Sequence, residues 1–439
     1  MTLTSSSHKV NVYGESLEAK TIAACLAKSG FFVGITEGLS CDINYHEKYL
    51  ASEPGLNQLL EDMSAVGQLN HYSRKRSDAN IHWVVYKGKS SDSLIKFILS
   101  LVRGKTEKQH IILTTSLGIG THETIKLEVD LLLSRSESNE RHEIITIPTF
   151  FREGTAISDF YAPQLLLIGT EEVPSNTIVS TLLSDTLGNA RETRFMEGVD
   201  VEVVNNAISA FLAMRVSFIN ELSTLLESRN ANFMSIIDAM SCDPRFGKNY
   251  NQAGCGFGGV ALQEAVVNIQ NLFKGFDSGS LMMQATLDIN EDQKDILFRK
   301  FWRYFESDLS NKKVAIWGAT FRPDTSSLIN SPAINLVNAL ISESVEVNLY
   351  DPMIKSSKLD AELFDGSINV SFSKYEAIKG VDALFIVTDW DEFKDVDFEL
   401  IKSNLNNPVI FDGRNIYEIQ KMNQVGITYF GIGCNNYSN

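Results

Sequence analysis

Lys9-Val-Asn-Val-Tyr13, with Gly14 directly after it, is the segment that decides the fold. Its apolar residues predict a buried strand, and the glycine predicts a sharp turn into a helical stretch that runs to Ala27. Ser29-Gly30 ends that stretch, and Phe31-Phe-Val-Gly-Ile-Thr36 predicts the next strand. A strand, a turn, a helix and a second strand form the repeating unit of a parallel sheet with right-handed crossovers.

The same pattern returns later in the chain, after a long helical stretch. Lys313-Val-Ala-Ile-Trp317 and Gly318 predict a second strand and turn. In between, apolar residues repeat at steps of three and four, which is typical of a long amphipathic helix: Val203, Ala207, Ala210, Phe211, Met214, Phe218 and Leu222. The sequence therefore predicts an α/β protein with two Rossmann-like, doubly wound parallel-sheet domains, at residues 1–195 and 306–439. A long helix and a central helical dimerisation region, residues 196–305, join them.

Composition and charge narrow the class of protein. Of the 439 residues, 44% are apolar and 21% are charged, and the formal net charge is −16. This acidity argues against nucleic acid or an anionic membrane as the main partner, since both need a basic face. The five cysteines include no C-x-x-C pair, so we expect neither a disulfide scaffold nor a metal site. Without a secretory segment or a long uninterrupted apolar run, a cytoplasmic location is expected.

Ligands of such sheets bind beyond the carboxyl ends of the strands. That rule singles out Gly14, Gly318, Thr388 and the segment Asp412-Gly-Arg-Asn415. Motifs at and around these positions resemble, in order, those of the UDP-glucose/GDP-mannose dehydrogenase family: Ser52-Glu-Pro-Gly-Leu56, Phe150-Phe-Arg-Glu-Gly154, Ala210-Phe-Leu-Ala213 with Ser217-Phe-Ile-Asn-Glu221, Asp243-Pro-Arg-Phe-Gly247, Gly256-Phe-Gly-Gly259, Gly318-Ala-Thr-Phe321 and Asp412-Gly-Arg-Asn415. The resemblance implies NAD-dependent oxidation of a nucleotide-sugar alcohol to a carboxylate by a dimeric enzyme.

Such a four-electron oxidation needs a thiolate, a general base and a cation that stabilises oxyanions. At the positions where the resemblance implies catalytic residues, this chain has substitutions: Ala261 for the nucleophilic cysteine, Asn205 for a lysine, Ser209 for an asparagine, Thr149 for a glutamate and Ala265 for an aspartate. Glu153 is the one matching catalytic position. Cys255, six residues before Ala261, is interpreted as a structural thiol rather than a relocated nucleophile.

The cofactor positions that the resemblance implies have also changed. A dinucleotide turn needs three glycines, whereas Gly14-Glu15-Ser16-Leu17-Glu18-Ala19 has only the first. Glu15 and Glu18 place carboxylates where the helix N-terminus would bind a phosphate. Gly14, Glu37 and Ser116 still match cofactor-binding positions. Glu264 and Ile329 replace basic residues near the cofactor, and tight NAD binding is therefore not expected.

The nucleotide-sugar side matches the family better. The residues that resemble its contacts to the nucleotide and the sugar are Phe151, Arg152, Arg245, Phe257, Gly258, Phe321, Arg322 and Arg414. Arginine suits phosphate recognition because it can donate two parallel hydrogen bonds. The same motifs could persist because they shape turns, and the sequence leaves that alternative open.

Three hypotheses follow for the function. The first is a catalytically inactive homologue that keeps the dimeric scaffold and a UDP-sugar pocket, acting in polysaccharide biosynthesis alone or with a catalytically intact paralogue. The alternative is an active NAD-dependent nucleotide-sugar 6-dehydrogenase with an altered mechanism. The third is an interaction protein without a small-molecule ligand.

Overall fold

The computed structural model describes residues 9–36, 53–72, 78–88, 90–135, 141–152, 154–171, 178–274, 279–354 and 368–434. Within them the chain forms two compact units, and the boundary falls between Ala207 and Ile208, inside one long helix. The predicted division into three domains, at 1–195, 196–305 and 306–439, stays a prediction.

The first unit is built on a sheet of eight described strands. They are β1 Lys9–Tyr13, β2 Phe32–Thr36, β3 Leu69–Tyr72, β4 Ile81–Tyr86, β5 His110–Thr115, β6 Glu143–Thr146, β7 Leu166–Gly169 and β8 Thr193–Met196. Their order is β3-β2-β1-β4-β5-β6-β7-β8, and only β6 and β7 pair antiparallel. The strand order reverses direction between β1 and β4, which is the switch point where doubly wound sheets bind ligands.

Helices cover this sheet because their apolar residues repeat at helical spacing. They are α1 Leu17–Lys28, α2 Leu56–Ala65, α3 Ser91–Val102, α4 Thr121–Ser134, α5 Ala156–Tyr161, α6 Ile178–Leu182 and α7 Ser184–Asn189. In α1, for example, residues Ile22 to Ala27 are all buried. The core of the unit lies between these helices and the sheet, and it includes Val10, Val12, Trp83 and Ile112.

The second unit contains the remaining elements. Its helices are α9 Phe233–Ser241, α10 Ala261–Leu272, α11 Leu281–Lys294, α12 Ile296–Tyr304, α13 Pro332–Ser342, α14 Lys374–Ala377, α15 Asp391–Lys394, α16 Phe398–Asn404 and α17 Ile419–Val425. Its strands are β9 Lys313–Trp317, β10 Glu346–Tyr350, β11 Asn369–Val370, β12 Ala383–Ile386, β13 Val409–Asp412 and β14 Thr428–Phe430, in the order β11-β10-β9-β12-β13-β14. All of their described pairings are parallel, so the predicted α/β architecture with two parallel sheets is confirmed.

The long helix, α8 Gly198–Ser228, covers the predicted helical stretch. Among the described helices it is the one that is long and apolar enough to cross a membrane, with a mean hydropathy of 1.2 over 18 residues. Core helices of globular proteins have the same length and composition.

Arg215 in this helix donates to the Asn251 side chain at 3.0 Å and to the Phe246 carbonyl at 2.5 Å, so its charge is bonded inside the second unit.

The start of α8 is tightly packed into the first unit. A Cβ on Gly198 would lie 2.2 Å from the His122 ring, and a Cβ on Gly169 would lie 2.8 Å from the Gly198 Cα. Glu202, one turn into α8, accepts hydrogen bonds from the backbone N–H of Gly120 at 2.7 Å and of His122 at 2.8 Å. The long helix therefore caps the N-terminus of α4 with a buried carboxylate, an arrangement that needs a glycine at its first residue.

We expect Gly198→Ala to lower the free energy of unfolding by about 3 kcal/mol, because the added methyl group must displace the His122 ring or the α8 backbone. Urea denaturation of the purified protein measures the change. Gly188→Ala is the matched control, since a Cβ there meets no atom within 4 Å. A Gly198→Ala variant as stable as Gly188→Ala would contradict this packing.

The buried cap also predicts a pH dependence. Burial raises the pKa of Glu202 from 4.5 to about 7, against the lowering effect of the N–H groups that it accepts. The folded protein binds a proton on Glu202 more tightly than the unfolded chain does. The resulting contribution to the free energy of unfolding is fully present below pH 4.5 and is lost as the pH rises through 7. At about 1.4 kcal/mol per pKa unit, the loss is on the order of 3 kcal/mol. Burial lowers the pKa of His122, so its ring gains a proton less readily than a free histidine does.

Unfolding free energies measured between pH 4.5 and 8 should therefore fall less steeply in Glu202→Gln than in the wild-type protein. Glu197→Gln serves as the control, because it removes an exposed carboxylate one turn before Glu202. Identical slopes for Glu202→Gln and the wild type would show that Glu202 does not carry this proton.

Candidate functional site

The turn after β1 keeps the one glycine that the backbone requires. Gly14 has φ 135°, and a Cβ there would lie 2.7 Å from the Val85 carbonyl oxygen of the neighbouring strand β4. Ser16 stands at the N-cap of α1, where its hydroxyl accepts from the Ala19 N–H at 3.4 Å. The turn thus ends in an ordinary helix cap, with side-chain atoms where a dinucleotide turn has glycine.

Glu18 lies in the first turn of α1 and forms an ion pair with Lys87, which follows β4. The Nζ–Oε1 distance is 2.8 Å, and the Glu18 side chain is 23% exposed. Burial alone would raise the pKa of Glu18. The Lys87 ammonium, the Ser16 hydroxyl and the N–H of Glu18 outweigh that effect and hold the pKa below its usual value. The carboxylate is therefore charged at neutral pH. Sequence reasoning identified Glu18 but missed its partner, which comes from a residue 69 positions away.

The other predicted cofactor positions are dispersed. Ser116 directly follows β5, at the same edge of the first sheet. Ile329 and Glu264 both lie in the second unit. Glu37 lies outside the described residues, as does Glu153, the one predicted catalytic residue.

The second unit places Ala261 at the first position of α10. The N-cap residue, Val260, makes no side-chain capping hydrogen bond, and a cysteine at a helix N-terminus is stabilised as the thiolate. Ala265 is one turn further along and is buried. Asn205 and Ser209 lie four residues apart along α8, and Thr149 follows β6 in the first unit.

Cys255 is fully buried, and burial raises the pKa of its thiol. Its Sγ would lie 2.8 Å from a Cβ added to Gly413, so it fills a gap beside the end of β13. This agrees with its interpretation as a structural thiol.

The glycine loop before α10 packs against the loop that follows β9. A Cβ on Gly258 would lie 2.7 Å from the Asn330 carbonyl oxygen and 2.7 Å from the Phe321 Cβ. Gly259 has φ 76° and lies against the Phe321 ring, and its carbonyl accepts from the Asn330 side chain at 2.9 Å. Close packing of two backbones explains why these residues are glycines, without reference to a ligand.

Other predicted substrate residues, in both units, also have contacts within the protein. The Asn290 side chain accepts from the Phe257 N–H at 2.8 Å and donates to the Phe257 carbonyl at 3.1 Å. Arg322 donates from Nε to the Pro323 carbonyl at 3.4 Å. Phe151 packs against Phe160 in the first unit, with ring centroids 6.3 Å apart.

Three predicted arginines have protein partners of their own. Arg152 forms a bidentate pair with Asp159, and Arg245 forms one with Asp243. Both guanidinium groups remain exposed, at 68% and 89% of the side-chain surface. Arg414 is different, because its Nε donates to the Val387 carbonyl at 2.7 Å and its Nη2 to the Phe321 carbonyl at 3.4 Å. It ties the ends of two strands together at the edge where ligands bind.

A cavity of about 460 Å³ opens beside Arg414 in the second unit. Its walls comprise apolar and polar residues of α9 and its C-cap, residues of the segment 248–253, and the loop after β13: Met234, Ile237, Asp238, Ser241, Cys242, Lys248, Asn251, Gln252, Ala253, Arg414 and Asn415. The volume and the mixed apolar and polar lining suit a small organic ligand, and two cations suit an anionic one. Of the eight predicted substrate residues only Arg414 lines it. Lys248 and Gln252 carried no sequence motif of their own.

Comparison with known proteins finds two domain models of one family along the chain. The UDP-glucose/GDP-mannose dehydrogenase central domain matches residues 200–292, and the UDP-binding domain of the same family matches residues 315–419. A UDP-glucose 6-dehydrogenase of Pseudomonas aeruginosa is 27% identical over 394 residues, which cover 87% of each chain. UDP-glucose 6-dehydrogenase 4 of Arabidopsis thaliana is 29% identical, over 70% of this chain and 69% of that one.

Solved structures share the fold. A UDP-glucose dehydrogenase from Pyrobaculum islandicum superposes with a TM-score of 0.83 at 19% identity, covering 98% of this chain and 99% of that one. A UDP-D-ManNAc dehydrogenase from Pyrococcus horikoshii superposes with a TM-score of 0.80 at 20% identity, covering 97% and 99%. Two successive domain models of the UDP-glucose/GDP-mannose dehydrogenase family thus match this chain, and its fold is similar to that of solved nucleotide-sugar dehydrogenases.

Proposed function

We propose that this chain is a nucleotide-sugar-binding member of the family that does not carry out the four-electron oxidation. The observation that carries the proposal is the methyl group of Ala261 at the first position of α10. The family resemblance implies a nucleophilic cysteine at this position. A methyl group cannot form the thiohemiacetal from which the second hydride would leave.

Three of the four described cysteines are poor replacements for that thiol. Cys25 is buried in the first unit, and burial raises its pKa to about 12. Cys255 is buried as well, and burial also raises the pKa of Cys434. Thiols in such surroundings stay protonated and are poor nucleophiles.

The binding half of the proposal is supported by the cavity beside Arg414. Arg414 and Lys248 offer two positive charges, while Ile237 and Ala253 offer apolar surface. That combination suits a ligand with a diphosphate and a flat base. Arg414 lies within the part of the chain that matches the family's UDP-binding domain. A UDP-sugar is therefore the proposed ligand, with Arg152, Arg245 and Arg322 as further proposed phosphate or sugar contacts.

Tight NAD binding is not part of the proposed function. Gly14, Glu37 and Ser116 remain the proposed contacts for any residual dinucleotide binding. The charged Glu18 carboxylate in the first turn of α1 does not fit a bound diphosphate. The helix dipole can stabilise one anion at this N-terminus, but a carboxylate and a diphosphate there would repel each other. Among the described residues no group of histidine, cysteine and acidic side chains could hold a metal ion.

One observation favours the alternative of an active dehydrogenase with an altered mechanism. Cys242 is exposed, lines the cavity, and donates from Sγ to the Asp238 carbonyl at 3.4 Å. A thiol on the wall of a proposed sugar-nucleotide cavity could capture an aldehyde. The experiment below includes this residue for that reason.

We expect isothermal calorimetry to show binding of UDP-glucose to the purified chain, and absorbance at 340 nm to show no NADH formed from UDP-glucose and NAD. Arg414→Gln should weaken UDP-glucose binding by about tenfold or more, because a charge-assisted contact to phosphate contributes about 1.5–3 kcal/mol. Lys379→Gln, an exposed charge in the same unit, serves as the control.

NADH formation by the wild-type protein would contradict the proposal. If that activity disappears in Cys242→Ser and persists in the wild type, the altered-mechanism alternative is correct. If calorimetry shows no binding of UDP-glucose to the wild-type protein, the chain does not bind this nucleotide sugar and the binding half of the proposal is wrong.

We also propose that the chain forms a homodimer through an exposed apolar face of α8. A catalytically intact paralogue is proposed as another partner of that face. Phe211, Phe218 and Leu225 lie seven residues apart along α8 and are 56%, 50% and 54% exposed. Large apolar side chains at this spacing form a continuous seam, which two helices can bury against each other. A role in polysaccharide biosynthesis and a cytoplasmic location remain predictions.

Light scattering after gel filtration should give twice the chain mass of 48.9 kDa for the wild-type protein. Phe218→Glu should shift it to the monomer, because a charge in the seam would be buried without a partner. Leu127→Glu, on the exposed face of α4 in the first unit, should leave the mass unchanged. A dimer that survives Phe218→Glu would place the interface elsewhere.

A further inference from the structure

The ion pair between Glu18 and Lys87 spans the switch point of the first sheet. Strands β1 and β4 are neighbours there, and the chain leaves β1 through Gly14 towards α1 and leaves β4 towards Lys87. In doubly wound sheets this crevice, together with the N-terminus of the helix after the first strand, is where the diphosphate of a dinucleotide binds. Glu18 and Lys87 meet across it at 2.8 Å.

The Glu18 carboxylate pairs with groups that would also favour a phosphate oxygen at that place. It accepts from the Lys87 ammonium group at 2.8 Å, and the Ser16 hydroxyl and the N–H of Glu18 also lower its pKa. A bound phosphate at a helix N-terminus depends on the same kinds of donor. Here one anion from the protein uses them, so they are no longer available to an anion from solution.

We propose that Glu18, held by Lys87, is a built-in anion that takes the place of the cofactor diphosphate and excludes dinucleotides from the first unit. The inference rests on the proposed loss of hydride transfer and gives it a specific cause on the cofactor side. Because Glu18 is the carboxylate that Lys87 holds in this crevice, neutralising Glu18 should restore anion binding there.

The second unit contains an internal anion at the corresponding turn. Asp351, at the end of β10, accepts from the backbone N–H groups of Ala319 at 2.8 Å and Thr320 at 3.1 Å, which follow the turn at Gly318. The Trp390 indole also donates to it at 3.2 Å. An acidic side chain thus satisfies the donors of the glycine turn in that sheet. In the first unit, the anion at the glycine turn is the Glu18 carboxylate of α1, paired with Lys87, which follows the neighbouring strand β4.

The test uses the full-length protein and inorganic pyrophosphate as the probe. Calorimetry compares the wild type with Glu18→Gln, which keeps the size of the side chain and removes its charge. We expect pyrophosphate to bind Glu18→Gln at least about tenfold more tightly, because a repelling charge has become neutral while Lys87 and the helix N-terminus remain. Glu15→Gln, which removes an equal charge from the same turn, should behave like the wild type.

Two further variants locate the site. Glu18→Gln combined with Lys87→Gln should lose the gained affinity, whereas loss of Arg414 in the Glu18→Gln background should leave it. Lys87→Gln alone should melt at a lower temperature and still bind no better than the wild type. Tighter pyrophosphate binding by Lys87→Gln than by the wild type would overturn the inference, and this comparison remains available if Glu18→Gln proves unfolded by circular dichroism.

Equal pyrophosphate affinities of Glu18→Gln and the wild type would overturn the inference, as would a gain that is insensitive to Lys87. Either result, with no NADH formed by the wild type, would leave the proposed function standing. NADH formation by the wild type would instead overturn the proposed function and the exclusion of dinucleotides together.

Discussion

Both sheets depend on a glycine turn that brings two neighbouring strands close together. Gly14 follows β1 with its α-carbon hydrogen facing the Val85 carbonyl, and Gly318 follows β9 facing Thr388, where a Cβ would lie 2.5 Å from the threonine. Both glycines have positive φ angles, at 135° and 93°. No larger residue could adopt that conformation and fit that gap. These two turns set how the chain leaves β1 and β9 at the carboxyl edge of each sheet.

The residues that hold the scaffold and the residues at the positions of the family's chemistry depend on different contacts in this chain, so one set can change without the other. Gly258 and Gly259 are held by contacts with Phe321 and Asn330, so their loss would cost packing whether or not a ligand binds. Ala261 follows two residues later and supports α10 as well as any residue would, since alanine favours helices. Fold is maintained by packing, whereas function depends on a few side chains at the site.

Local pattern was enough to predict the fold but not the pairs that shape its site. The apolar strands, the glycine turns and the helical spacing of α8 are periodic features, and each could be predicted from neighbouring residues. The partner of Glu18 is Lys87 and the partner of Glu202 is the start of α4, and no local rule connects residues so far apart in sequence. The antiparallel pairing of β6 with β7 also had no local cause in the sequence. The cavity could not be predicted from local sequence either. Lys248 and Gln252 line it together with Arg414, which is more than 160 positions away in the sequence.

The contacts of Arg414 bear on how a ligand would be recognised. Its guanidinium group is bonded to the carbonyls of Val387 and Phe321 before any ligand arrives, so its flexible side chain has already lost most of its rotational freedom. Immobilising such a side chain on binding usually costs about 0.5–1.5 kcal/mol. Folding has met that entropic cost in advance, and a phosphate that reaches the remaining N–H groups would find a rigid, preorganised donor.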